Sequence, residues 1–206
     1  MSYATLKDLC EFHYEDRKSE FIAFARPVST ESEALDFIGA VKKKYPDARH
    51  WVYAYVLREN STARFTDDRE PQGTAGMPVL DAIRKNGVTD CVIVVVRYFG
   101  GILLGTGGLV HAYSSAALGA LRGAKIIHYN LYTFFDIYVS YGDYQKISAA
   151  LNKFSVKIID VNYSDNVKIK SSVESDLYDD MITTLSEVTS GRIKIEFLDN
   201  KYDFRE

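Results

Sequence analysis

The chain has 206 residues, 47% of them hydrophobic and 26% charged, with a net charge of −3. Those values fit an ordinary globular protein of one large or two small domains, and they exclude a protein that coats nucleic acid through a global positive field. The charge is uneven, with 16 Lys and Arg against 15 Asp and Glu in residues 1–130 and 9 against 13 in residues 131–206, so any nucleic-acid contact is expected to use a local basic patch.

The opening stretch, "MSYATLKDLCEFHYEDRKSE", carries acids and no apolar run, so no secretory signal is expected. "ATLKDLCEFHYEDRKSEFIAFARPV" reads as two strands around a polar turn, with Phe21, Ile22 and Phe24 apolar in the second. A helix over residues 32–44 follows, with Ser29 and Thr30 as cap candidates and Ala34, Leu35, Phe37, Ile38 and Val41 as its apolar stripe. "RHWVYAYVL" reads as a strand. After residues 64–80, "RFTDDREPQGTAGMPVL", the residues Val79, Leu80, Ala82 and Ile83 mark a short helix ending at Gly87. "DCVIVVVRYF" is a β-branched run, hence a strand buried on both faces. Its apolar part, residues 91–96, is far too short to cross a membrane. "GGILLGTGG" leads into a helix over about residues 109–122, and "AKIIHYN" gives a further strand, closing an α/β domain near residue 130.

From residue 131 the pattern is regular. "YTFFDIYVS" is a strand, "GDYQKISAALNKF" a helix, "SVKIIDVNY" and "NVKIKSSV" two strands, "ESDLYDDMITTLSEVTS" a helix and "RIKIEFL" a strand. The order βαββαβ is the ferredoxin-like motif. The expectation is an α+β protein with domains at 1–130 and 131–206. Cys10 and Cys91 alone make neither a disulfide framework nor a cluster of metal ligands, and a reducing cytoplasm is the expected compartment.

Two segments carry the chemistry. In "PQGTAGMP", Gly73 and Gly76 permit unusual backbone angles, and Pro78 suits the first turn of a helix. Amides around Thr74 would then face an anion at a helix N-terminus. The spacing is not that of a P-loop, and a plain strand-to-helix turn accounts for it equally. Asp67, Asp68 and Glu70 just before it could hold a hard cation such as Mg2+, or simply be solvated or paired with Arg64 and Arg69. The second segment holds Gly100, Gly101, Gly105, Gly107 and Gly108, a density that calls for close backbone approach to a ligand or to the chain itself. Arg97 and Tyr98 before it offer a cation and a stacking face. His13, His50, His111 and His128 show no metal spacing, although His50 starts a strand and is read as facing the acids. Ser114 and Ser115 lack a nucleophile elbow, and no nucleophile–base pair stands out, which weighs against an enzyme.

By "KSEFIAFARPV", "ARHWVYAYVL", "DDREPQGTAGMPVL" and "VVVRYFGGILLGTGGLVHAYSSAA" the chain resembles the YigZ/Impact family, in its bacterial two-domain form. The resemblance implies a first domain similar to domain IV of elongation factor G and to the second domain of a small-subunit ribosomal protein. It implies a C-terminal domain similar to domain V of the same factor. The pairing points to contact with RNA, the ribosome or a translation-associated protein. The eukaryotic relatives regulate translation under starvation through a kinase pathway, by protein–protein binding. Two positions depart from the family pattern: Arg69 stands where glycine is usual, and His111 where arginine is usual. The loss of an arginine near a helix start weakens an anion site there, while Arg69 supplies a charge from the other loop.

The leading expectation is therefore a cytosolic translation-linked regulator or binding module acting through the two glycine-rich segments, with no cofactor. The alternative is a metal-dependent enzyme acting on a phosphate-containing small molecule, with Mg2+ on Asp67, Asp68 and Glu70. A third is a protein-interaction module whose acidic loop meets a basic partner.

Overall fold

A computed structural model describes residues 2–58 and 61–204. It divides into two compact units, Tyr3–His128 and the chain from Tyr129 onward. The first unit is built on an antiparallel sheet of β2 (Cys10–Asp16), β3 (Ser19–Pro27), β6 (Cys91–Tyr98), β4 (His50–Val56) and β5 (Ala63–Thr66), in the order β2-β3-β6-β4-β5. Before them runs β1 (Ser2–Leu6), where Ala4 bridges Val88. The opening stretch thus holds three strands rather than two, because Lys7–Leu9 breaks what the sequence reads as one. β5 has no counterpart in the sequence reading; with Arg64 at its centre it lacks a recognisable apolar alternation.

Period-two alternation puts consecutive β6 side chains on opposite faces. Ile93 and Val95 join a core with α2 (Gly76–Lys85) and α3 (Gly105–Gly123), whereas Val92, Val94 and Val96 join one with α1 (Glu31–Lys44). All of these valines and isoleucines are fully buried, as a strand covered on both faces requires. Thr30 caps α1, its hydroxyl accepting from the Glu33 amide at 3.2 Å.

The second unit contains β7 (Ile126–Val139), α4 (Tyr141–Lys153), β8 (Lys157–Tyr163), β9 (Val167–Glu174), α5 (Tyr178–Val188) and β10 (Lys194–Asp203). β7 is continuous where the sequence reads two strands. All pairings are antiparallel, with β10 and β9 flanking β7 and β8 outside β9. That is the ferredoxin-like arrangement, and the whole is an α+β protein. Phe135, Ile137, Ile147, Leu151, Ile169, Met181 and Leu185 form its core beneath the two helices.

Candidate functional site

The two glycine-rich segments meet at one end of the first sheet, around Glu70. Its carboxylate is buried, and Oε1 accepts from Arg97 Nη1 at 2.5 Å and from the Tyr113 hydroxyl at 2.8 Å. His50, paired with Arg97 across β4 and β6, brings Nε2 to 3.7 Å from the same oxygen. Its Nδ1 lies 2.8 Å from the Asp68 carbonyl oxygen, which can only accept, so this bond assigns the proton to Nδ1. Burial, reinforced by the Glu70 carboxylate, pushes the Tyr113 hydroxyl far above its ordinary range, so it remains a donor. Arg97 is 5% exposed, yet its Nε has no hydrogen-bond partner among the described residues.

The chain itself uses the acids of the first segment. Asp67 Oδ1 accepts from the Ala75 and Gly76 amides at 3.1 and 2.8 Å, and Oδ2 accepts from the Gly73 amide at 2.9 Å. These are the amides expected to meet an external anion, and an internal carboxylate fills their place at the start of α2. Asp68 Oδ2 accepts from the Trp51 amide at 2.7 Å. Asp67, Asp68 and Glu70, read from the sequence as joint ligands of Mg2+, turn their carboxylates to three separate sets of partners. Among the described residues no group of three or more His, Cys, Asp and Glu could hold a metal ion. Thr74 closes the turn locally, its hydroxyl donating to the Pro71 carbonyl at 2.6 Å. Gly76 is required by packing, since a Cβ there would collide with the Thr66 carbonyl.

The second segment differs from its reading as a loop. α3 begins at Gly105, so Gly105, Gly107 and Gly108 lie in its first turn, four residues ahead of the expected start. The buried stripe of Leu109, Ala112, Tyr113, Ala116 and Ala117 holds the helix in place despite the poor helix propensity of glycine. Gly100 approaches the β2–β3 turn so closely that a Cβ would strike the Lys18 carbonyl, and its amide donates to the Ser19 hydroxyl at 3.2 Å. Gly101 keeps a φ of +84°.

An open pocket of about 390 Å³ lies where these elements meet, lined by Arg49, His50, Glu70 and Arg97 together with Phe99, Leu103, Gly105 and Thr106. Phe99 is 41% and Leu103 81% exposed. The guanidinium carbons of Arg49 and Arg97 lie 6.0 and 5.8 Å from the Phe99 ring centre, within cation–π range. Tyr98 is not part of this arrangement. Strand alternation carries it to the opposite face, where it packs with the α1 core, so the exposed aromatic beside Arg97 is Phe99. Arg49, Phe99 and Leu103 were not singled out from the sequence; the parity of "VIVVVRYF" carried the signal for Phe99.

Comparison with known proteins places these features in a family. The Impact N-terminal domain matches residues 17–121, and a domain of unknown function, DUF1949, matches residues 137–192. The IMPACT family member YvyE of Bacillus subtilis (strain 168) is 35% identical over 196 residues, covering 95% of this chain and 90% of YvyE. The protein IMPACT homolog of Saccharomyces cerevisiae is 31% identical over 111 residues, 52% of this chain and 43% of the yeast protein. A solved structure described as that of a hypothetical protein superposes with a TM-score of 0.60 at 31% identity, covering 96% of this chain and 98% of the other. The chain belongs to the IMPACT family.

Proposed function

We propose that the protein is a cytoplasmic, translation-linked binding protein that contacts ribosomal RNA through the pocket end of its N-terminal unit. The observation that carries this reading is the pairing, in one open pocket, of Arg49 and Arg97 with the exposed side chains of Phe99 and Leu103. RNA presents phosphates to cations and unstacked bases to aromatic faces. The resemblance of both domains to consecutive domains of elongation factor G supports the same reading. So does the family tie to eukaryotic proteins that regulate translation. With a net charge of −3 the contact must be local. No helix among the described residues is long and apolar enough to cross a membrane. Binding is favoured over catalysis because the amides and acids that a phosphate-handling enzyme would use at α2 already satisfy one another.

Co-sedimentation with purified ribosomes across a salt series tests this. The wild type is expected to pellet with ribosomes at low salt and to be released as salt rises, through loss of the counterion-release gain. Arg49→Ala, at an exposed position, should pellet less at low salt and be released at a lower salt than the wild type. No pelleting of the wild type at any salt would overturn the proposal.

A further inference from the structure

The pocket has the makings of an anion site that the Asp67-filled end of α2 lacks. Gly105 and Thr106, the first residues of the 19-residue α3, line it. The N-cap position is occupied by Leu104, and no side chain caps the helix there among the described residues, so first-turn amides remain to be satisfied from outside the helix. A second observation points the same way. Arg97 lines the pocket and is more than nine-tenths buried, with Nη1 given to Glu70, so its charge acts on the pocket through a poorly screened wall. Arg49 adds a further guanidinium at the mouth, with no acidic partner among the described residues.

Glu70 is the one acid lining the pocket. Its Oε1 accepts from Arg97 Nη1 and Tyr113 and so answers one of the two guanidinium charges. The other, together with the partial positive end of α3, leaves the pocket net positive. The remaining wall is apolar, with Phe99, Leu103, Leu104 and Leu109. A bare inorganic anion has no use for such a wall, and a volume of about 390 Å³ lies in the range that holds small organic ligands.

From these features we infer that the pocket seats the phosphate of a nucleotide, held by Arg97, Arg49 and the first-turn amides of α3, with the base against Phe99 and Leu103. The inference rests on the pocket being the contact surface proposed above, and it names what enters it. The nucleotide can be a residue of single-stranded RNA or a free mononucleotide; the phosphate chemistry is the same.

Calorimetric titration of the full chain at low salt with adenosine 5′-monophosphate, adenosine, inorganic phosphate and a short oligoadenylate tests the inference. The monophosphate is expected to bind about tenfold or more tighter than adenosine, and Arg49→Ala to weaken it by about tenfold, as loss of a charge-assisted contact does. Arg97→Lys, which keeps the charge facing Glu70, should weaken it comparably because the planar, multi-donor guanidinium is lost. Phe99→Ala should weaken the monophosphate and the oligomer by about tenfold while leaving inorganic phosphate unchanged. The fluorescence of Trp51, the single tryptophan, reports whether each variant is folded. Oligomer binding tighter than monophosphate binding, with the same response to Arg49→Ala, supports the site and identifies RNA as the source. Monophosphate binding without oligomer binding supports the site and contradicts the RNA reading. Equal binding of adenosine and its monophosphate overturns the inference, as does indifference of the monophosphate to both arginine variants. Ribosome pelleting without binding of any titrant overturns the inference and leaves the RNA reading standing.

Discussion

Arg69 shows how a departure in sequence becomes a backbone cost. Asp68 and Arg69 follow one another with φ of +42° and +69°, in the left-handed region that is cheap for glycine, tolerable for aspartate and unfavourable for arginine. Asp68 is held there by the bond its carboxylate accepts from Trp51, whereas the Arg69 side chain is exposed. A glycine at this position would adopt the same backbone angle without that cost. The charge that Arg69 was expected to contribute lies outside the pocket lining. Arg69→Gly should raise stability by about 0.5–1 kcal/mol, the relief of strain exceeding the added freedom of the unfolded chain. Asp67→Ala should act oppositely, costing about 2 kcal/mol, because it strips the acceptor from three amides around the start of α2. Urea unfolding followed through Trp51, which lies in the first unit, measures both. An Arg69→Gly midpoint below that of wild type would refute the strain argument.

At the level of elements, the ends of helices decide much of what the sequence did and did not reveal. α4 begins with Ser140 at the cap, accepting from the Asp143 amide at 3.2 Å, and Asp143 accepts in turn from Arg192 Nε at 3.0 Å and from Lys146 at 2.8 Å. Arg192, with Lys146, holds the Asp143 carboxyl well below the usual carboxylate range. A carboxyl depressed in the folded state adds stability that is present above its unfolded pKa, about 4, and is lost as pH falls toward the folded value. Asp143→Asn should therefore speed amide exchange in α4 relative to wild type at pH 7, and the difference should shrink as the pH is lowered below about 4. A difference that stays constant over that range would show that the charge is not the cause. The periodicity of α4 was legible because a local stripe writes itself into neighbouring residues. The capping of α2 by Asp67 was not, because the acceptor sits eight and nine residues before the amides it takes and reaches them only through the fold. The start of α3 was hidden for a related reason: glycines that read as a loop are carried into the helix by the tertiary packing of Leu109 and Tyr113. The candidate site was half legible: Glu70 and Arg97 were named, while Tyr98 was chosen over Phe99 because composition was read without strand parity.

Across the whole molecule, the two units carry different signatures. The matching family models fall one in each, residues 17–121 and 137–192, and the pocket with its cations belongs entirely to the first. The chain from residue 131 has a surplus of acids, 13 against 9, which makes it a poor generic partner for RNA. The contact proposed above therefore belongs to the first unit, where Phe99 and Leu103 stand exposed. The measurement that tests this most directly is ultraviolet crosslinking of the protein to purified ribosomes, with the crosslinked residue located by mass spectrometry. The account predicts RNA adducts at Phe99 or the adjoining residues up to Leu103, lost when Arg49→Ala and Arg97→Lys are combined. Adducts confined to residues 129–204, or adducts at Phe99 that persist unchanged in the double variant, would contradict it.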